Sequence, residues 1–104
     1  MFTFKNKEYE LKFNLKRIKL IEQAADNKSA MAQLATDASG MMSLTSIERF
    51  FAYGLKEAGA DTFINPQKAI EICDEYIEEE GYVAAIKLIQ EQVQTDCPFL
   101  FRVS

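Results

Sequence analysis

Asn65-Pro66-Gln67-Lys68-Ala69-Ile70-Glu71-Ile72-Cys73-Asp74-Glu75-Tyr76-Ile77-Glu78-Glu79-Glu80-Gly81 carries its own start and stop signals for a helix. Asparagine supplies an oxygen that can cap free backbone N–H groups, and a proline at the first helical position loses nothing by lacking its own. Glycine adopts the backbone conformations that end a helix without a steric penalty. Between these signals Ala69, Ile70, Cys73 and Ile77 recur at helical spacing and predict the inward face. Glu71, Asp74, Glu75 and Glu78 then fall on the opposite face.

Downstream, a second helix is expected from about Tyr82 to Asp96, with Tyr82, Ala85, Ile86, Ile89 and Val93 along its buried stripe. Gly81 alone separates the two helices, so they meet at a sharp corner or fold back on each other. Upstream, Thr45 followed by Glu48 reads as a capping box, with Ser43 as a competing cap, for a helix that Gly59 can end. Its apolar stripe is Ile47, Phe50, Phe51, Gly54, Leu55 and Ala58. Glycine inside a helix costs about 1 kcal/mol against alanine. Gly54 is therefore either a position where another backbone comes close or a tolerated glycine.

Further out, Asn14 can cap a helix through about Ala25 with Ile18, Ile21 and Ala25 on one face. From Asp26 to Ser43 the residues are small, and only Met31, Leu34, Ala35 and Ala38 keep helical spacing, which fits a short, weakly held helix or a loop. At the N-terminal end Phe2, Phe4, Tyr9, Leu11 and Phe13 alternate around Lys5-Asn6-Lys7-Glu8, the period of a β-hairpin. Two strands alone are marginal in water, so the hairpin must pack on helices or gain a strand. Phe99, Phe101 and Val103 alternate after Pro98 and offer a short C-terminal strand. The expected fold is mainly α (α+β): one domain over residues 1–104, an N-terminal β-hairpin, then about four packed helices.

Composition narrows the function classes. The chain has 104 residues, 48% of them hydrophobic, and no histidine, the side chain most used for proton transfer near neutral pH and for transition metals. Gly-rich phosphate loops, zinc spacings and a nucleophile with a recognisable base are missing too, and the expectation is a non-enzymatic protein with no cofactor. Cys73 and Cys97 stand apart and read as buried reduced residues, which fits a cytoplasmic setting. Residues 1–12 do not resemble a signal peptide, and no apolar run approaches the roughly 20 residues that cross a membrane.

Net charge is −4, but residues 1–28 hold seven basic and four acidic side chains and residues 29–104 five basic and twelve acidic ones. Such polarity could drive self-association or attract a basic partner, and it argues against nucleic acid, which needs a concentrated basic surface. The acidic face of Glu71, Asp74, Glu75 and Glu78 reads as a solvated helix surface, a partner surface or a hard-cation site. Phe99, Leu100 and Phe101 dock on their own fold or on another molecule. Met41 and Met42, with Met31, either fill the core or form a surface that repacks against partners. Phe99, Leu100 and Phe101, then Met41 and Met42, are the candidate partner contacts.

Residues 9–15 (Tyr9-Glu10-Leu11-Lys12-Phe13-Asn14-Leu15), 50–56 (Phe50-Phe51-Ala52-Tyr53-Gly54-Leu55-Lys56) and 76–82 (Tyr76-Ile77-Glu78-Glu79-Glu80-Gly81-Tyr82), with Asp96-Cys97-Pro98-Phe99, carry a likeness in order and composition. Through them the chain resembles the tail assembly chaperones of long-tailed bacteriophages of Gram-positive bacteria. The resemblance covers most of the length but not the Ala-rich stretch from Ser29 to Gly40. It implies a protein of the host bacterial cytoplasm whose copies coat the tape-measure protein and help tail-tube protein polymerise. It also implies a short form that a ribosomal frameshift would extend, with Phe99 to Ser104 close to the junction. The alternative from the residues alone is a small acidic regulatory protein that binds a basic or DNA-binding protein.

Overall fold

The computed structural model describes residues 1–34 and 42–101. The chain runs β1 (Phe2–Phe4), β2 (Lys7–Leu11), α1 (Leu15–Ala24), α2 (Ala30–Leu34), α3 (Leu44–Gly54), β3 (Leu55–Glu57), α4 (Pro66–Glu80) and α5 (Tyr82–Asp96), followed by a 3-10 turn at Pro98–Leu100. This is the expected architecture, an N-terminal hairpin and four principal helices, but the third strand is not the one the sequence suggested.

The hairpin turn is tighter than the run Lys5 to Glu8. Phe4 pairs with Lys7, leaving Lys5 and Asn6 as a two-residue loop, and both adopt positive φ (51° and 67°). That geometry matches the twist of the strands it joins, and asparagine accepts it readily. Tyr9, Glu10 and Leu11 then pair antiparallel with Glu57, Lys56 and Leu55, so β2 is the middle of a three-stranded sheet.

The third strand is therefore Leu55–Glu57 and not the C-terminal tail. After Pro98 the chain turns: Leu100 N–H donates to the Cys97 carbonyl and Phe101 N–H to that of Pro98, both at 3.0 Å. The alternation of Phe99 and Phe101 does not extend into a strand there, and Val103 lies outside the described residues. Helix α3 stops at Gly54, not at Gly59, because β2 takes up the backbone that follows. Gly59 instead sits at φ +80° in the turn after β3.

Of the two sequence candidates, Ser43 is the cap of α3. Its side chain accepts the Ser46 N–H at 3.1 Å, and the half-buried Glu48 side chain is committed elsewhere. Replacing Ser43 with alanine should cost about 1 kcal/mol in urea unfolding, and replacing Thr45 measurably less. Asn65 caps α4 as read from the sequence, accepting from Gln67 N–H at 2.9 Å. Gly81 serves as both the C-cap of α4 and the N-cap of α5 at φ 99°.

The core lies where the sheet and α3 meet α4. Phe50, Phe51, Ile47 and Leu55 of the α3–β3 unit are fully buried with Phe13, Ile21, Ile89 and Val93. The buried face of α4 is Ala69, Ile72, Cys73 and Tyr76, while Ile70 and Ile77, expected to face inward, are half-buried flanks. An aromatic cluster explains this rotation. Tyr76 packs edge-on against Phe2 and Phe4 at 5.4 and 5.5 Å between ring centroids, and lies 6.1 Å from Phe51. Burying one tyrosine among three phenylalanines outweighs burying an isoleucine at the rim.

Candidate partner-binding surface

The C-terminal end of the molecule is anchored by a carboxylate. Asp96, whose side chain is 7% exposed, accepts the Phe13 N–H at 2.9 Å and the Gln92 side-chain amide at 3.0 Å, and lies 3.7 Å from Lys12 Nζ. These bonds tie the last turn of α5 to the segment leaving β2. Cys97 beyond it is fully buried, and Leu100 packs against the core. The segment is thus held before its first phenylalanine, at Cys97, and between the two, at Leu100.

Phe99 and Phe101 nonetheless face solvent, at 42% and 43% exposure. Of the three expected contact residues, then, Leu100 docks on its own fold and the other two remain available. Phe101 lines a groove of about 280 Å³ together with Met31, Leu34, Gln90, Val93 and Gln94, between α2 and α5. Met31 is 41% exposed. The flexible thioether beside an aromatic ring makes an apolar wall that can adapt to an occupant, and the two glutamines give it a polar rim.

Met42 does not belong to this surface. It is 1% exposed, and its carbonyl accepts the Tyr82 hydroxyl. It fills the core beneath the start of α3, so its place among the partner contacts is corrected. Met41, like Ala35 and Ala38, lies outside the described residues.

The acidic face of α4 is exposed as expected, but it divides in two. On the hairpin side Lys5 Nζ lies 2.7 Å from Glu75 Oε2 and 3.5 Å from Glu79 Oε1. The Lys5 ammonium holds the Glu75 carboxyl below its usual range, and the pair raises Lys5 in turn. Glu71 has Lys68 at 4.0 Å. On the α3 side Asp74 and Glu78 line a second groove with Leu44, Glu48 and Ile77. In the sequence Glu48 signals only a capping box, whereas its place in the groove beside Asp74 depends on how α3 and α4 cross.

The charge asymmetry of the sequence is partly consumed inside one molecule. Besides Lys5, Lys7 reaches Glu57 at 3.5 Å and Lys12 lies 3.7 Å from Asp96, while Lys56 reaches Glu10 at 3.3 Å in the opposite sense. The pairs of Lys5, Lys7 and Lys56 link the hairpin to α4 and β3. Surface ion pairs are worth little individually, about 0–1 kcal/mol, so their main effect is to leave little unbalanced positive charge on the hairpin.

Neither thiol is poised for chemistry. Burial pushes both Cys73 and Cys97 up from the ordinary thiol range, with neighbouring carboxylates adding to the effect. Among the described residues no group of three or more Cys, Asp or Glu side chains is placed to hold a metal ion, and no helix is long and apolar enough to cross a membrane. No protein-family model matches the chain, and neither a curated protein nor a solved structure is similar to it.

Proposed function

We propose that the protein is a non-enzymatic assembly chaperone of the phage-tail type, whose copies coat a tape-measure protein in the bacterial cytoplasm and help tail-tube protein polymerise around it. The observation that carries this reading is the pair Phe99 and Phe101, exposed on a segment that the fold holds at Cys97 before them and at Leu100 between them. Rings fixed in place lose little freedom when they bind, so each contact gains from being preorganised. With Met31 and the groove beside Phe101, they form a small apolar surface. One such surface binds weakly. Many copies on one long client give high occupancy while each contact stays exchangeable, which suits a coat that tube subunits must later displace.

Copies would pack along the client through the outer edge of β1, which among the described residues pairs only on its β2 side. The alternative, an acidic regulator of a basic or DNA-binding protein, draws on Glu48, Asp74 and Glu78, which have no cation within ion-pair distance among the described residues. Co-expression with the products of neighbouring genes separates the two. The chaperone reading expects a very long helical protein that is soluble only when this chain is present. If that protein's solubility is indifferent to the chain, the reading is wrong.

A further inference from the structure

Helices α3 and α4 face each other with like charge. Glu48 on α3 and Asp74 and Glu78 on α4 line one groove, closed at its sides by Leu44 and Ile77. Other carboxylates of α4 have lysines: Glu75 and Glu79 share Lys5, and Glu71 has Lys68. Among the described residues none of the three groove carboxylates has a cation within ion-pair distance. Carboxyl groups gathered in one groove without a cation repel one another when all are ionised, and a proton shared between two of them turns that repulsion into a hydrogen bond.

We infer that Glu48 and Asp74 form a proton-sharing clamp between α3 and α4, which holds this junction closed when the proton is present and loosens it when the proton leaves. The surroundings favour the protonated form of Glu48. The hydrogen bond to Asp74 is the largest influence, followed by partial burial and the negative charge of Asp74, and together they raise its carboxyl to about 7. The groups facing it from α4 are Asp74, Glu78 and the buried Cys73 thiol, and from its own helix Arg49, which opposes the rise. No titratable group of α1, α5 or β3, the other elements packed on α3, acts on it.

The sequence gives the clamp unusual prominence. With no histidine anywhere in the chain, no imidazole titrates near neutral pH. A carboxyl raised to this range becomes the principal side-chain pH sensor among the described residues. Because the native state holds a proton that the unfolded chain releases, stability falls as pH rises from the ordinary carboxylate range to about 7 and levels off above it. The Lys5–Glu75 pair acts outside this window: its contribution is lost on acidification below the usual carboxylate range, with the opposite sign, and again at alkaline pH as Lys5 deprotonates.

Two measurements test the clamp. In the native chain the side-chain carboxyl carbon of Glu48, followed by NMR, should titrate with a midpoint of about 7. A midpoint in the ordinary glutamate range would overturn the inference. The urea midpoint of the native chain should fall between about pH 5 and about pH 8. Glu48→Gln places a permanent donor against the Asp74 carboxylate, so its midpoint should stay level across that window. The difference between the two chains cancels every other titrating group, the α-amino group included. If Glu48→Gln keeps the native slope, there is no clamp.

Discussion

Gly54→Ala should be among the most damaging conservative changes in this protein, costing about 3 kcal/mol of stability. A Cβ at this position would run into Cε1 of Phe13 and stand 2.7 Å from its Cζ. A flexible side chain could step aside, but the Phe13 ring is fully buried and set edge-on against Phe50, 5.8 Å between centroids. The backbone is pinned as well, since Lys12 N–H donates to the Gly54 carbonyl at 2.8 Å. Helix end, strand start and ring all converge on a residue with no side chain. Urea denaturation of Gly54→Ala, Phe13→Leu and the double variant checks the cause. The alanine penalty should shrink in the leucine background, because only the ring stands in its way. An undiminished penalty would assign the cost to the backbone instead.

The second large effect is expected in binding more than in folding. Phe99→Ser combined with Phe101→Ser should lower stability by about 2 kcal/mol at most, because each ring is little more than half covered. The same change should weaken capture of the client by about 100-fold, as two truncated aromatic anchors at roughly 1.5 kcal/mol each would. Leu100→Ser provides the contrast. Its side chain packs on the core, so it should lower stability more than either exposed phenylalanine does. Binding can be read by fluorescence anisotropy on a labelled apolar helical segment of the client.

Local chemistry made much of the fold legible. Asn65-Pro66 and Gly81 bracket α4 because capping and helix termination are properties of a few adjacent residues. The hairpin followed from alternation, and the buried stripe of α5 from its period at Ala85, Ile86, Ile89 and Val93, with Tyr82 half-buried at its start. The third strand was hidden for the opposite reason. Leu55-Lys56-Glu57 continues the helical spacing of α3, and only the partners Tyr9, Glu10 and Leu11, more than forty residues earlier, pull it into the sheet. The tail misled in reverse, since Phe99 and Phe101 alternate like a strand while Pro98 opens a 3-10 turn.

The candidate surface was legible to the same degree. Exposed aromatic residues near the C-terminal end could be marked as adhesive from composition, and Phe99 and Phe101 are exposed. Met42 could not be told from a surface methionine, because its burial depends on Tyr82 of α5 closing over the start of α3. The anchoring role of Asp96 was equally invisible. Its partner, the Phe13 N–H, lies 83 positions away in the sequence. The acidic face read as one surface because helical spacing says nothing about neighbours, and Lys5 and Glu48 approach it from different elements.

In the proposed function the client meets the apolar side chains of Phe99 and Phe101 and not the charge of α4. The most direct test is the dissociation constant for the client segment measured from about 0.1 M to about 1 M salt, where the screening length shrinks from about 10 Å to about 3 Å. An apolar contact predicts affinity that is level or rises slightly over that range. Affinity that collapses with salt, and that Phe99→Ser with Phe101→Ser leaves untouched, would contradict the account and assign the work to the acidic helix.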